Sequence, residues 1–305
     1  MTTRRDFMFF TGCALMGAAG TQTAHAQAPR RREVVVNGKR VKTIDVHAHV
    51  GFPEAMALMG LKFAPPQLTS TMEDRIRAMD EQGIDMEALT INAYWYTANR
   101  DVAEKLIEVQ NNKLAEIVAK QPDRFVALAS VALQYPDLAA QQLEDAVKRL
   151  GMRGTTIGGH NQEDLSLPKY DVFWAKAAEL GAPVFMHPGG ADNIIKDDSW
   201  RGRGDLGNII GNPLETTYFL SRLIFDGTLD RHPNLRIVGA HAGGYLPSYL
   251  ARTDVACEVR NNADCANKKK PRKYFKREIL VDTMVFTDEG LLRRTPWCPP
   301  SPGFS

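Results

Sequence analysis

His47 and His49, separated by one residue, are the first side chains in the sequence whose types and spacing could do chemistry. They close an apolar run, residues 43–49. If that run is a β-strand, residues two apart point the same way, and two imidazoles on one rigid strand can hold a metal ion together. His187 and His241 end two further apolar runs, residues 183–187 and 236–241. Adding His187 gives three ligands and leaves a position open for water or substrate, as a catalytic metal requires. Imidazole suits Zn²⁺, and also Mn²⁺, Fe²⁺ or Co²⁺. A water on such an ion ionises near neutrality. His241, close to Gly243 and Gly244, is then the neighbouring acid or base, with the glycines letting substrate approach the backbone. A single strand-end histidine is more often structural; four at converging strand ends carry the metal reading.

The elements that must position these residues alternate regularly. Strand candidates cover residues 43–49, 87–93, 125–132, 154–158, 183–187, 236–241 and 279–284. Helical stretches between or after them cover 71–82, 101–120, 138–150, 170–180, 213–226 and 246–260. Repeated strand–helix units imply an α/β fold with a parallel sheet. An open doubly wound sheet would commonly carry a glycine-rich phosphate turn after its first strand, where this chain has His47-Ala48-His49. The expectation is therefore a (β/α)8 TIM-type barrel over residues 41–294, whose strand ends converge on one face. Gly83, Gly151 and Gly181 are expected to stop helices. Asn212, Pro213 and Glu215 read as a capped helix start, with Glu215 reaching back to the cap.

His160 and Trp200 are candidate substrate-binding residues. His160 follows the fourth strand, and Trp200 lies in the long connection 188–211, which reads as a lid or binding loop. His232 precedes a strand at the opposite end and reads as structural.

Composition is ordinary for a soluble globular protein: 44% hydrophobic, 24% charged, net charge +2 from 38 basic and 36 acidic residues. Nothing in that balance points to nucleic acid. The basic run Lys268 to Lys273 reads as a solvated loop. Residues 1–26 read as a twin-arginine export signal: Arg4-Arg5, an apolar stretch from Met8 to Gly20, and Ala24-His25-Ala26 for cleavage. The mature protein is expected in the periplasm, acting on a small molecule, with no membrane segment; a homodimer is compatible with all of this. Cys257, Cys265 and Cys298 show no zinc spacing, and Cys257 and Cys265 read equally as a short-loop disulfide or as free thiols.

The segments Ile44-Asp45-Val46-His47-Ala48-His49, Phe185-Met186-His187-Pro188, Gly211-Asn212-Pro213-Leu214-Glu215-Thr216-Thr217 and Ala240-His241-Ala242-Gly243-Gly244 resemble motifs of the amidohydrolase superfamily. The branch they are most similar to is that of aminocarboxymuconate-semialdehyde decarboxylase. The resemblance spans residues 41–292. It implies one divalent metal, usually zinc, with His47, His49 and His187 on the ligand positions and His241 on the acid/base position. It implies a nonoxidative decarboxylase of an aromatic or muconate-like acid, or alternatively a metal-dependent hydrolase. The arginine that binds substrate in the first loop of some members has no match, since residues 50–70 contain none.

The resemblance also implies an aspartate ligand at the end of an eighth strand. Here residues 295–305 carry four prolines and cannot form a central strand. The barrel is expected to lack its eighth strand, with Asp282 or Asp288 as substitute carboxylates, and a non-catalytic remnant is the reading that follows if neither serves.

Overall fold

The start and end of most elements follow from local chemistry. In the computed structural model, which describes residues 31–62, 71–192, 194–195, 200, 202–260 and 262–286, a short hairpin, β1 (Val35–Val36) with β2 (Lys39–Arg40), precedes the repeating units. The Thr71 hydroxyl accepts the Asp74 N–H at 3.1 Å and starts α2 (Met72–Gln82), after α1 (Pro53–Ala57). Asn99 caps α3 (Arg100–Lys120) through Val102 N–H at 3.0 Å. Each cap satisfies an amide the helix cannot pair, a contribution of about 1 kcal/mol. α4 (Pro136–Lys148) opens on proline, and α5 (Asp171–Leu180) stops at Gly181 with φ 62°. Gly83 and Gly151 take positive φ as expected.

Seven parallel strands follow chain order: β3 (Ile44–His49), β4 (Met86–Thr90), β5 (Phe125–Ala127), β6 (Thr155–Ile157), β7 (Val184–Met186), β8 (Ile237–Gly239) and β9 (Ile279–Val281). Ladders join β3–β4–β5 and β6–β7–β8–β9. A single parallel bridge, Ala129 to Thr155, links the two groups. The sheet curls far enough for side chains of its first and last strands to touch across the interior, though the strands do not pair: the His47 ring on β3 bonds Asp282, just past β9, at 2.8 Å. The parallel α/β reading therefore holds, with the strand ends on one face. Among the described residues no eighth strand pairs with β3 or β9. Among the described residues two large apolar clusters fill the fold, one around Leu89, Trp95, Leu106 and Phe125, the other around Phe173, Trp174, Val184 and Leu223, with a small third one of Leu128, Phe185 and Ala240. Truncating Trp174, which is fully buried, to alanine would cost about 3–5 kcal/mol.

Three expectations need correction. The strands are shorter than read, because the ladder stops before the residues that face the cavity. His187 lies one residue past β7 and His241 two past β8. The segment 246–260 is a 3-10 turn, Leu246–Tyr249, followed by two short helices, Leu250–Asp254 and Ala256–Val259, instead of one helix. Its backbone leaves helical values at Tyr249 (φ −111°, ψ 10°) and flattens at Val255 (φ −92°, ψ −6°). Asn212 does not cap α6 (Asn212–Phe225). A π-turn, Gly207–Gly211, leads into the helix, so Asn212 is already helical at φ −60° and ψ −51°.

The basic run is tied down: Lys269 reaches Glu278 at 2.6 Å, Lys270 reaches Glu258 at 2.7 Å, and Arg272 pairs with Asp254. Cys257 and Cys265 form a disulfide. The export signal (residues 1–26), Cys298, Asp288 and the tail at 295–305 lie outside the described residues. No described helix is long and apolar enough to cross a membrane.

Candidate metal centre

Pleating sends the His47 and His49 rings to the same side of β3, and their Nε2 atoms stand 3.1 Å apart. His187 is fixed by its own amide, which donates to Ile157 O at 2.9 Å and continues the β6–β7 register past the last paired residue. The ligand atoms of His47, His49 and His187 all lie within 4.8 Å of one another. Their rings meet edge to face, His47–His187 at 4.8 Å and His49–His187 at 4.6 Å between centroids, so the ring edges converge on one point. His241 stands just outside, 5.3 Å from the His47 centroid and 5.4 Å from that of His187.

Their protonation suits a cation. His47 Nδ1 lies 2.8 Å from the Asp282 carboxylate, which when ionised can only accept; that pairing calls for the proton on Nδ1 and leaves the Nε2 lone pair facing inward. His49 Nδ1 lies 3.3 Å from the Thr90 hydroxyl, the equivalent anchor on its other side. Burial, and then the neighbouring His47 and His241, push His49 down to about 4. Burial, and then His49 and His47, push His187 down to about 2. Both are therefore neutral at physiological pH, the form in which imidazole binds metal. His187 Nδ1 is buried and has no hydrogen-bond partner among the described residues. Such an orphan costs about 1–3 kcal/mol unless something binds it. Two nitrogens 3.1 Å apart can both sit at the ~2.0–2.1 Å that Zn–N bonds require. The residues present fit one divalent ion.

The turn that carries His241 is strained. His241 (φ 53°) and Ala242 (φ 55°) are both left-handed without being glycine. Their amides donate to Asp282 at 3.0 and 2.7 Å, which compensates the strain locally. Burial is the main influence lowering the His241 pKa, His47 adds to it, and Asp282 opposes it. For Asp282, burial pushes upward, but bonds from His47, Ala242 and Met284 outweigh it and hold the carboxyl below its ordinary range. Gly243 and Gly244 serve packing. A Cβ on Gly243 would come within 2.8 Å of Val281, and one on Gly244 within 2.2 Å of the Pro213 carbonyl. Gly244 also lines the cavity beside His241, as expected of a glycine that leaves the backbone open, whereas Gly243 does not.

The histidines form the floor of a cavity of about 970 Å³. Its walls include the neutral polar residues Asn92, Tyr94, Asn208, Asn212 and Tyr245 and the apolar Met56, Ile91, Ile209, Met284 and Phe286. Sequence reasoning marked only Asn212 of this rim, within the segment Gly211 to Thr217, and read it as a helix cap; no motif marks the rest. His160 and Trp200 are not among the lining residues. His160 Nδ1 accepts the Gln162 amide at 3.2 Å, and its Nε2 stands 3.9 Å from Glu215. Trp200 lies against the backbone of Gly207 and Gly211. His232 bonds Asp171 at 3.1 Å, the structural role expected of it.

Glu215, read as a capping residue, is instead buried behind the wall. It accepts the amides of Gly159, Gly189 and Gly190 at 3.1, 2.9 and 2.8 Å, and so ties the loop after His187 to α6. Burial pushes it up to about 8 against the pull of those three amides.

The sequence profile described as amidohydrolase matches residues 44–267. A gamma-resorcylate decarboxylase of Rhizobium radiobacter is 35% identical over 201 residues, 62% of this chain and 60% of that protein. A 2-amino-3-carboxymuconate-6-semialdehyde decarboxylase of Dictyostelium discoideum is 30% identical over 227 residues, 71% of this chain and 60% of that one. The chain thus spans about three-fifths of the length of these curated relatives. A crystal structure of a dihydroxybenzoic acid decarboxylase from Polaromonas, with bound manganese and the inhibitor 2-nitroresorcinol, superimposes with a TM-score of 0.73 at 27% identity, covering 84% of this chain and 83% of that one.

Proposed function

The chain belongs to the amidohydrolase family, and from that membership we propose that it is a metal-dependent nonoxidative decarboxylase of an aromatic or muconate-like carboxylic acid. The observation that carries the reading is the floor itself: three imidazoles that fit one cation, with a fourth beside them, beneath a cavity of about 970 Å³. The names of the two decarboxylase relatives support the substrate class. We assign the ion as Zn²⁺, which an all-imidazole set suits; the Polaromonas structure holds manganese, so metal analysis of the purified protein decides between them. When bound, the ion would supply Lewis-acid attraction for the substrate carboxylate and an adjacent oxygen.

The protein's own residues do the rest. Asn92, Asn208, Asn212 and Tyr94 line the walls and offer neutral donors and acceptors to ring substituents. Met56, Ile91 and Ile209 give the ring an apolar surface and exclude water. His241 delivers a proton to the carbon that bears the carboxylate. The C–C bond then breaks, its electron pair returns to the conjugated system, CO₂ leaves, and His241 regains a proton from solvent at the mouth. Because burial lowers its pKa, protonated His241 gives its proton up readily.

The test is turnover of 2,6-dihydroxybenzoate and related acids in D₂O by the metal-loaded protein. The reading expects CO₂ release and one deuterium at the vacated carbon. Cleavage of esters, lactones or amides without CO₂ would install the hydrolase reading instead.

Two further readings go with this one. We place the protein in the periplasm, supported by the Arg4-Arg5 leader and by the Cys257–Cys265 disulfide, which an oxidising compartment preserves. Replacing both arginines with lysine should retain the chain in the cytoplasm, and unchanged export would refute the assignment. We also propose that the sheet lacks an eighth strand: among the described residues nothing pairs with the free edges of β3 and β9. Adding an eighth strand that bears an aspartate should raise activity; activity in the 305-residue chain equal to that of its decarboxylase relatives would overturn this.

A further inference from the structure

Asp282 stands one residue past β9 with its side chain buried. Four donors converge on its two oxygens. Oδ2 accepts His47 Nδ1–H at 2.8 Å and the His241 amide at 3.0 Å. Oδ1 accepts the Ala242 amide at 2.7 Å and the Met284 amide at 3.1 Å. An ionised carboxylate offers about four lone-pair directions, so these donors use its capacity. The carboxylate that sequence reasoning offered as a substitute metal ligand is committed elsewhere.

We propose that Asp282 is a positioning residue that couples the metal ligands to the acid/base: one carboxylate fixes the tautomer of His47 and clamps the left-handed turn that presents His241. It deepens the metal-centre reading above and rests on it.

The first arm acts on His47. With Nδ1–H given to Asp282, the Nε2 lone pair faces His49 Nε2 across 3.1 Å. The opposite tautomer would place a proton in that gap and a lone pair against an anion. The second arm acts on the turn. Two successive non-glycine residues at φ 53° and 55° are held where both amides point at one carboxylate. Without that acceptor the backbone has reason to relax toward the right-handed region, which would swing the His241 ring away from His47 and His187. Asparagine cannot replace Asp282. It presents one acceptor oxygen, and its NH₂ would face either the His47 and His241 donors or the Ala242 and Met284 donors. The coupling spans the unpaired gap between the first and last strands, because the residues joined belong to β3, the turn after β8, and the end of β9.

The experiment has three parts. In the metal-free wild-type chain, ¹⁵N-detected histidine spectra should show His47 protonated at Nδ1; protonation at Nε2 overturns the proposal and needs no variant. Calorimetric titration with Mn²⁺ should show Asp282→Asn binding about 10- to 100-fold more weakly, the usual effect of removing an outer partner of a ligand histidine. Affinity within twofold of wild type overturns it. Adding Ala242→Gly to Asp282→Asn should return the His241 ring signals toward their wild-type positions while leaving Mn²⁺ affinity at the Asp282→Asn value, since glycine relieves the turn but cannot restore the tautomer. Recovery of both, or of neither, contradicts the two-arm clamp. If Asp282→Asn does not fold, the wild-type tautomer decides the matter. A wild-type chain that bound no Mn²⁺ would remove the metal reading, while the tautomer would still report on the clamp.

Discussion

The floor and the rim of the cavity are built by different means. On the floor, His47 and His49 stand on a paired strand, and His187 and His241 follow paired strands by one and two residues. Their rings are packed against one another and anchored by Asp282 and Thr90. On the rim, Asn92, Tyr94, Asn208, Ile209, Tyr245 and Phe286 come from segments beyond the strand ends, and Phe286 is 89% exposed. The ladders fix the chemistry, and loops that can vary independently set what enters.

Removing a floor ligand should break this division most severely. His187→Ala should abolish stoichiometric metal binding and with it turnover, a larger loss than the roughly 10- to 100-fold cost of removing an outer partner. Metal analysis after dialysis checks it, and a variant that retained one ion per chain would dissolve the proposed ligand set. His241→Asn comes next. It should keep the metal and lower kcat by about 10²–10⁴-fold, the usual contribution of a positioned acid or base. Equal loss of metal and of kcat would move His241 into the ligand set.

The floor was legible in the sequence because a His-x-His pair and two strand-end histidines keep their meaning once strands alternate and run parallel. The partner of His47 was not legible. Asp282 lies 235 residues away and reaches it only because the curled sheet brings β9 back to β3. Glu215 shows the opposite error. Asn212-Pro213-Leu214-Glu215 has the pattern of a capped start, yet three loop amides draw the carboxylate away from the helix end. Local pattern gave the helix, and tertiary donors decided what its acid does. Apart from Asn212, the rim carries neutral amides and apolar side chains with no spacing rule, so nothing in the sequence marked them.

The floor should also respond to pH in a way the rim does not. In the unfolded chain His49 and His187 titrate near 6.5; in the fold they are pushed down to about 4 and about 2. Between those values the unfolded chain binds protons that the fold excludes, so the stability of the metal-free protein is full above 6.5 and is lost as pH falls toward 4 and below. Urea midpoints of the metal-free chain across pH 7 to 4 test this. A midpoint that rose on acidification would mean that the imidazoles are not held neutral. Smallest of all should be the rim variants. Asn92→Ala or Tyr94→Phe should change KM for hydroxylated acids by about tenfold or less, the net worth of one hydrogen bond, with metal content unchanged. A loss of metal in either variant would erase the distinction between floor and rim.

Anomalous diffraction at the metal edge from crystals of the protein soaked in Zn²⁺ or Mn²⁺ bears most directly on the claim that one cation unites separate strands. The account predicts a single strong peak within bonding distance of a nitrogen of each of His47, His49 and His187, about 2.0–2.1 Å for Zn²⁺, with His241 beside it and unbonded. A peak elsewhere in the molecule, or none at the three imidazoles, would contradict it.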